Sequence, residues 1–293
     1  SMYASIRSAA LDDGASHAEV SSATVSRFIN NPSVVAPATA ERIQAAIEAN
    51  TKKDAVIDLN AKEAVVIKMG EYGDTPITGS DQHLPPLAVT SPYTAPPAIG
   101  ASIVQFRESG GYTADIRGTV AAARTYLDHW LATQCHEQVR DCRAMIVSDI
   151  DDTIVSWYSF YASPAVGWQY LPALEAVAMA DCSTPPIRQT IAFLKEAQSR
   201  GVTLALITGR KSPSRAVTAS CLAKVGITGE HYLILRSPSE YTMTAAEYKA
   251  NRRRILERAG WRIALSIGDQ VSDMAGGYTD AGFLVPNPMY FIP

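Results

Sequence analysis

The stretch AMIVSDIDDT, residues 144–153, decides how the fold of this chain is interpreted. A run of apolar residues leads directly into three carboxylates and a threonine hydroxyl. Short, continuously apolar runs are typical of strands buried in a parallel sheet. Function in such a sheet lies beyond the carboxyl ends of its strands. The stretch therefore predicts a buried strand that delivers Asp149 and Asp151 to the mouth of a sheet.

The composition places the chain among globular proteins. It has 293 residues, a 47% hydrophobic content and a net charge of −3. This length is sufficient for one large domain and a smaller one. The small negative charge excludes a global basic field for nucleic acid, and the absence of a long apolar run argues against a membrane span.

Two features favour a cytoplasmic location. The first residues, SMYASIRSAALDDGASH, lack the apolar core of a secretory signal. The cysteines are widely spaced and show no metal-site pattern, so we expect reduced thiols at Cys135, Cys142, Cys182 and Cys221.

The chain divides into three parts by composition. Residues 1–55 are rich in Ala and Ser and predict a helical extension. Residues 56–101 predict a linker or strap without regular structure, and the part from 71 onward carries six prolines. Residues 102–293 alternate between helical and strand patterns and predict the main domain, with a small cap at about 154–184.

The main domain has the pattern of an α/β protein. Apolar runs predict strands at 144–149, 202–208, 232–236, 262–267 and about 282–285. Helical spacing predicts helices at about 113–135, 185–200, 213–225 and 245–259. This alternation predicts a Rossmann-like parallel sheet with helices on both faces.

The predicted strand ends carry the parts that phosphoryl transfer requires. Asp149 leaves the first strand nearest to an incoming phosphorus, and Asp151 lies far enough along to reach the leaving oxygen. The negative charge of phosphate requires a neighbouring cation, which indicates Lys249. The phosphate oxygens require donors such as a hydroxyl and a backbone N–H, which indicates Thr208 and Gly209. Aspartate oxygens suit Mg²⁺. We expect Asp151 to have a raised pKa as a proton donor.

The ordered motifs resemble the haloacid dehalogenase superfamily, and more narrowly its acid phosphatase branch. The resemblance covers about 110–293 and rests on DIDDT (149–153), LITGR (206–210), YLILR (232–236), YKANRRRILERAGWRIALSIGDQVSD (248–273) and FLVPNPMYFIP (283–293). It implies that Asp149 forms an aspartyl-phosphate and that Asp151 protonates the leaving group. It also implies Mg²⁺ ligands at Asp149, the Asp151 carbonyl, Asp269 and Asp273, the last directly or through water.

Substrate specificity is expected in the cap segment, which is rich in aromatic residues. Trp157 and Tyr158 lie nearest to the catalytic loop and are our candidates for substrate contact, although such rings also pack caps onto cores. Arg210 either binds substrate or pairs with a carboxylate. Asp152 is expected in a turn or facing solvent, and residues 252–254, all arginine, are expected on a solvated helix face.

A second resemblance lies near the N-terminus. The piece VSSATVSRFINNPSVV is similar to the helix-turn-helix of lac repressor family regulators. Glu19 replaces the expected turn glycine, Gly14 interrupts the first helix, and residues 1–53 have five basic and five acidic side chains. A neutral module is poorly suited to bind DNA phosphates. We therefore expect a helical appendage for packing or homodimer formation.

The sequence favours a Mg²⁺-dependent phosphomonoesterase acting on a small phosphorylated metabolite, such as a nucleotide or sugar phosphate. A phosphotransferase would use the same residues and differ only in the acceptor. A DNA-binding regulator with a phosphatase-like sensor domain is the alternative from another class, as is a storage or scaffold protein. The complete catalytic set argues against both.

Overall fold

The computed structural model describes residues 36, 38–39, 75–83, 100–136 and 138–292. The chain divides into two compact units, Ser1–Glu71 and Tyr72–Pro293, and the fold below is that of the second. The predicted helical extension and most of the predicted strap lie outside the described residues. The division into three parts stays a prediction.

A single parallel sheet of six strands forms the centre of the second unit, in the order β1-β6-β5-β2-β3-β4. The strands are β1 (Ile77–Gly79), β2 (Ala144–Ser148), β3 (Thr203–Lys211), β4 (His231–Arg236), β5 (Arg262–Gly268) and β6 (Gly282–Leu284). The predicted α/β fold class is confirmed, and β2 has the central position that its apolar sequence indicates.

Seven α-helices accompany the described part of the sheet. They are α1 (Gly100–Glu108), α2 (Gly111–Gln134), α3 (Tyr158–Tyr161), α4 (Pro172–Asp181), α5 (Arg188–Ser199), α6 (Arg215–Lys224) and α7 (Ala245–Arg258). The four predicted helices correspond to α2, α5, α6 and α7. Within the described ranges, no helix combines the length and apolar character needed to cross a bilayer.

The main core lies where α2 and α5 pack against the sheet. All five residues of β2 are buried, and Ile146 contributes to a cluster with Leu127 of α2 and Leu194 of α5. A buried side chain of this size contributes about 1.5–3 kcal/mol through the hydrophobic effect. The carboxyl end of β2 is held by β5, because the Asp149 N–H donates to the Ile267 carbonyl at 3.0 Å.

The described part of the strap is more regular than its prolines predict. Residues Ile77–Gly79 form the parallel edge strand β1 beside β6. A Cβ on Gly79 would collide with the Leu284 carbonyl, so this pairing requires glycine. The prediction of an irregular strap is wrong for these three residues. They are stabilised by pairing with a strand 205 positions later, and no local sequence pattern indicates that pairing.

The cysteines form two disulfides, Cys135–Cys142 and Cys182–Cys221. The expected reduced thiols are therefore wrong. The first bridge closes a short connection after α2, and the second ties the end of α4 to α6. Sequence spacing alone did not show this, because folding brings Cys182 and Cys221 together from 39 residues apart.

The second disulfide should stabilise the fold more than the first. In the chain-entropy estimate, a 39-residue separation gives roughly 4 kcal/mol and a seven-residue separation roughly 2 kcal/mol. We expect the double variant Cys182→Ser/Cys221→Ser to lose more free energy of unfolding than Cys135→Ser/Cys142→Ser. Urea unfolding of both variants without reductant measures the difference. Equal losses would contradict the assignment of the longer bridge.

Candidate active site

Residues from the carboxyl ends of the four strands β2, β3, β4 and β5 meet residues from the helices at one edge of the sheet. They surround a cavity of about 410 Å³. Its lining includes eight charged side chains: Asp149, Asp151, Glu175, Arg210, Arg236, Lys249, Asp269 and Asp273. The predicted catalytic, phosphate-binding and metal-binding residues thus share one region, as expected for a parallel sheet.

Lys249 is the central cation of this region. It lies in the first half of α7, which begins with a capping box between Thr244 and Glu247. The buried Nζ of Lys249 donates to Asp149 Oδ1 at 2.6 Å and also to Asp273 Oδ1. Burial alone would lower the pKa of Lys249, but the charges of Asp149 and Asp273 outweigh it and raise that pKa. Lys249 therefore remains a cation.

Three buried carboxylates form a cluster beside Lys249. Asp149, Asp269 and Asp273 each offer an oxygen, and these atoms lie within 4.8 Å of one another. Burial raises the pKa of Asp149 well above its ordinary value and that of Asp269 to about 8. A divalent cation would reduce the electrostatic repulsion among the three carboxylates, and an all-oxygen donor set suits a hard cation. The cluster therefore fits a metal site.

Neighbouring polar groups fix the metal-site carboxylates in place. Gln270 Nε2 and Asn287 Nδ2 donate to Asp269 Oδ2 at 2.8 and 2.7 Å. The Gln270 N–H donates to Asp273 Oδ2 at 2.9 Å. The sequence prediction did not assign roles to Gln270 or Asn287. The motifs around them, GDQVSD and PNPMYF, were the available signal.

Asp151 is separate from that cluster and faces Arg210. Arg210 donates to both carboxylate oxygens of Asp151, at 2.6 and 3.0 Å, and Trp157 Nε1 donates at 2.7 Å. Burial would raise the pKa of Asp151, but the charge and hydrogen bonds of Arg210 outweigh it, so the pKa is lowered. The expected raised pKa is wrong for this arrangement, because the sequence did not reveal the ion pair.

The phosphate-binding candidates lie where β3 departs from regular pairing with β4. The register shifts between Ile207 and Lys211. Thr208 is buried in this irregularity, and its hydroxyl lies 3.5 Å from Asp151 Oδ2. Gly209 lines the cavity, and a Cβ there would meet no atom within 4 Å. The irregularity thus leaves space beside Thr208 and Gly209 for a ligand.

The similarity of the chain to known protein families agrees with the site described above. The family model "HAD superfamily, subfamily IIIB (Acid phosphatase)" matches residues 80–293. The chain belongs to this subfamily. A second model, "Bacterial regulatory proteins, lacI family", matches residues 10–50. Both resemblances inferred from the sequence are confirmed.

Curated relatives are similar over part of their length. Acid phosphatase 1 of Solanum lycopersicum is 32% identical over 154 residues, which are 52% of this chain and 60% of that protein. Vegetative storage protein 1 of Arabidopsis thaliana is 30% identical over 156 residues, 50% of this chain and 55% of its own. The matched region is therefore less than two thirds of either relative.

Solved structures show the same fold. The class C acid phosphatase from Bacillus anthracis has a TM-score of 0.53 and 21% identity, over 67% of this chain and 86% of its own. The crystal structure of that phosphatase with tungstate bound has a TM-score of 0.54 and 22% identity, over 67% and 87%. At this identity the similarity supports the fold of the subfamily IIIB domain.

Asp152 of this subfamily IIIB domain is not a solvent-facing residue. It is buried and has a φ of +54°, so only the turn part of the expectation holds. It accepts hydrogen bonds from the Trp157 N–H at 2.9 Å and the Tyr290 hydroxyl at 2.7 Å. Burial raises the pKa of Asp152 to about 7. The C-terminal segment covers this carboxylate, which local sequence did not indicate.

The expected solvated arginine face is also wrong. Arg253 is fully buried, and its guanidinium donates to the carbonyl oxygens of Asp273, Ala275 and Gly277. Arg254 is buried, and Arg252 donates to Glu240 at 2.6 Å. Arg253 thus connects α7, which carries Lys249, to the loop that carries Asp273.

The cap aromatics divide between the cavity and the cap core. Trp157 lines the cavity, as do Tyr161 and Tyr170. Tyr158 is absent from that lining, and its ring centre lies 4.5 Å from the guanidinium carbon of Arg107. The structure therefore places Tyr158 in packing, the alternative that the sequence left open, whereas Trp157 contacts Asp151 directly.

Removal of the Arg253 guanidinium should loosen the Asp273 loop. We expect Arg253→Met to lower the free energy of unfolding by about 3 kcal/mol or more, because three carbonyls lose a charged donor. Urea unfolding measures the loss. Arg117→Met, at an exposed position of α2, is the control and should change stability little. Equal effects would show that Arg253 adds no specific stabilisation.

Proposed function

We propose that the chain is a Mg²⁺-dependent phosphomonoesterase that acts on a small phosphorylated metabolite through an aspartyl-phosphate on Asp149. The observation that carries this proposal is the buried Lys249 between Asp149 and Asp273, at the edge of a cavity in a subfamily IIIB domain. An anionic nucleophile can approach an anionic phosphate only where such a cation neutralises the charge.

The proposed reaction has two steps. An Asp149 oxygen bonds to phosphorus while the ester P–O bond breaks, and the leaving oxygen takes a proton from Asp151. Asp151 then accepts a proton from water while the water oxygen bonds to phosphorus and the bond between phosphorus and the Asp149 oxygen breaks, which releases inorganic phosphate and the free Asp149 carboxylate. Thr208, Gly209 and Lys249 bind the phosphate oxygens in both steps.

Arg210 connects phosphate binding to the proton donor. In the structure it binds both oxygens of Asp151, which keeps that carboxylate ionised. Phosphate is a strong bidentate competitor for a guanidinium. We propose that incoming substrate draws Arg210 toward phosphate and leaves Asp151 free to carry a proton.

The metal would be held by Asp149, Asp269 and Asp273, with the Asp151 carbonyl as a further ligand. When bound, Mg²⁺ supplies charge neutralisation to the phosphate oxygens and orients them. Carboxylates and a carbonyl are the few protein ligands that Mg²⁺ prefers besides water. The acidic cluster supports the cation, and the identity as Mg²⁺ is part of the proposal.

The leaving group would lie against the cap. Trp157, Tyr161 and Tyr170 give the cavity an aromatic wall that suits a nucleoside or sugar. The same residues would serve a phosphotransferase, if an alcohol replaced water as the acceptor. A DNA-binding regulator is not favoured, since residues 1–53 carry equal numbers of basic and acidic side chains. A packing or homodimer role for this extension stays a prediction.

The cytoplasmic location also stays a prediction, and the two disulfides weigh against it. Disulfides persist mainly in oxidising compartments. Four paired cysteines in the described chain therefore support a proposal of an oxidising environment instead.

Loss of the nucleophile should abolish turnover. We expect Asp149→Asn to lower kcat/KM for p-nitrophenyl phosphate by at least about a thousandfold, because no carboxylate can attack phosphorus. Chelation by EDTA should have a comparable effect that added Mg²⁺ reverses. Asp141→Asn, at an exposed position, is the control. Activity that survives both Asp149→Asn and chelation would refute the mechanism.

Metal affinity should increase as the pH rises. Burial raises the pKa of Asp269 to about 8, so this carboxyl group holds a proton near neutrality without metal; burial also raises the pKa of Asp149. Binding requires ionised ligands, so Mg²⁺ must displace the Asp269 proton. Calorimetry between pH 6 and pH 9 should show tighter binding at higher pH and proton release near pH 7. An affinity independent of pH would contradict this.

A further inference from the structure

Glu175 is a carboxylate in the cavity wall that the reaction does not use. It lies in the first turn of α4, in the cap, and is half-buried. Its Oε1 accepts a hydrogen bond from the Tyr161 hydroxyl at 2.6 Å. Within the described ranges no protein group donates to Oε2 or forms an ion pair with Glu175. One oxygen is thus oriented by Tyr161 and the other is available to a ligand.

Glu175 lies on the leaving-group side of the cavity. The cap segment supplies Glu175 and Tyr161, and it also supplies Trp157, which donates to Asp151. Glu175 and Asp151 line the same cavity; burial raises the pKa of Glu175, and the negative charge of Asp151 raises it further. Asp151 is the proposed donor to the leaving oxygen. Glu175 would therefore meet the alcohol part of the substrate and not its phosphate.

The other charges of the cavity do not neutralise Glu175. Arg210 is bound to Asp151, and Lys249 is bound between two aspartates. Arg236 donates to the Met243 carbonyl at 2.8 Å and lies 4.8 Å from the Tyr248 ring centre, on the β4 side. The lining holds five carboxylates and three basic side chains. A divalent cation and a phosphate dianion cancel each other, so the excess negative charge persists when both are bound.

We infer that Glu175 determines specificity by accepting a hydrogen bond from a cationic group, such as an ammonium, on the leaving alcohol. This inference rests on the proposed phosphomonoesterase function. The same carboxylate disfavours esters whose alcohol carries a second anion, because a carboxylate or phosphate placed there would face Glu175 without a counterion. Tyr161 is a positioning residue, since its hydroxyl orients Glu175.

Three esters of similar size test the role of Glu175: O-phosphoethanolamine, ethyl phosphate and phosphoglycolate. Their far ends are cationic, neutral and anionic. We expect kcat/KM to fall in that order. Glu175→Gln should reduce the ratio of O-phosphoethanolamine to phosphoglycolate by at least about tenfold and change ethyl phosphate by less than about threefold. Tyr161→Phe should reduce the ratio less than Glu175→Gln does.

Asp181→Asn is the matched control, because Asp181 is exposed at the other end of α4 and absent from the cavity lining. It should leave the ratio unchanged. An unchanged ratio in Glu175→Gln would overturn the inference even if phosphatase activity is present. Calorimetry can separate this inference from the proposed phosphatase function, because it measures how both charged esters bind to Asp149→Asn with and without Glu175→Gln. If Glu175→Gln removes a preference for the cationic ester, the inference is supported even if the chain has no turnover.

Discussion

The arrangement of this molecule depends on one electrostatic constraint, the burial of several carboxylates around a single ammonium. Removing an ion from water costs several kcal/mol, so a buried charge persists only where an opposite charge and hydrogen bonds compensate for it. Lys249 supplies that charge to Asp149 and Asp273. Asp149 comes from β2, Lys249 from α7 and Asp273 from the turn after β5. The site and the fold are therefore stabilised by the same contacts.

The polar network extends from this ion pair to distant parts of the chain. Asn287 donates to Asp269, and Tyr290 donates to Asp152, so the last described residues form part of the floor of the site. Arg253 holds the loop on the other side through three carbonyl oxygens. The Asn287 and Tyr290 contacts fix carboxylates that would otherwise be repelled by their neighbours, and the Arg253 contacts fix the backbone of the loop that carries Asp273. Such preorganisation reduces the rearrangement that charge development requires during catalysis.

Features that depend on neighbouring residues in the sequence could be predicted, whereas features that depend on a contact with a distant residue could not. The strands and the residues at their ends follow from local apolar runs, which predicted Asp149, Asp151, Thr208 and Asp269 in one region. Asp152 was placed incorrectly because its partner Tyr290 lies 138 positions away. Arg253, the Cys182–Cys221 disulfide and β1 were also missed because their partners lie well away in the chain. Their residue types also occur at surfaces, in reduced thiols and in linkers, so only tertiary contacts distinguish them.

The proposed reaction would divide two tasks between two parts of the chain. The phosphate candidates Thr208, Gly209 and Lys249 belong to the sheet and α7, whereas Trp157, Tyr161 and Glu175 belong to the cap. Asp151 lies at the boundary, with Arg210 of the sheet on one side and Trp157 of the cap on the other. Substitutions in the cap could therefore change the preferred alcohol while the phosphate chemistry persists. The Cys182–Cys221 bridge fixes the cap beside α6, so such changes would act on a wall of defined position.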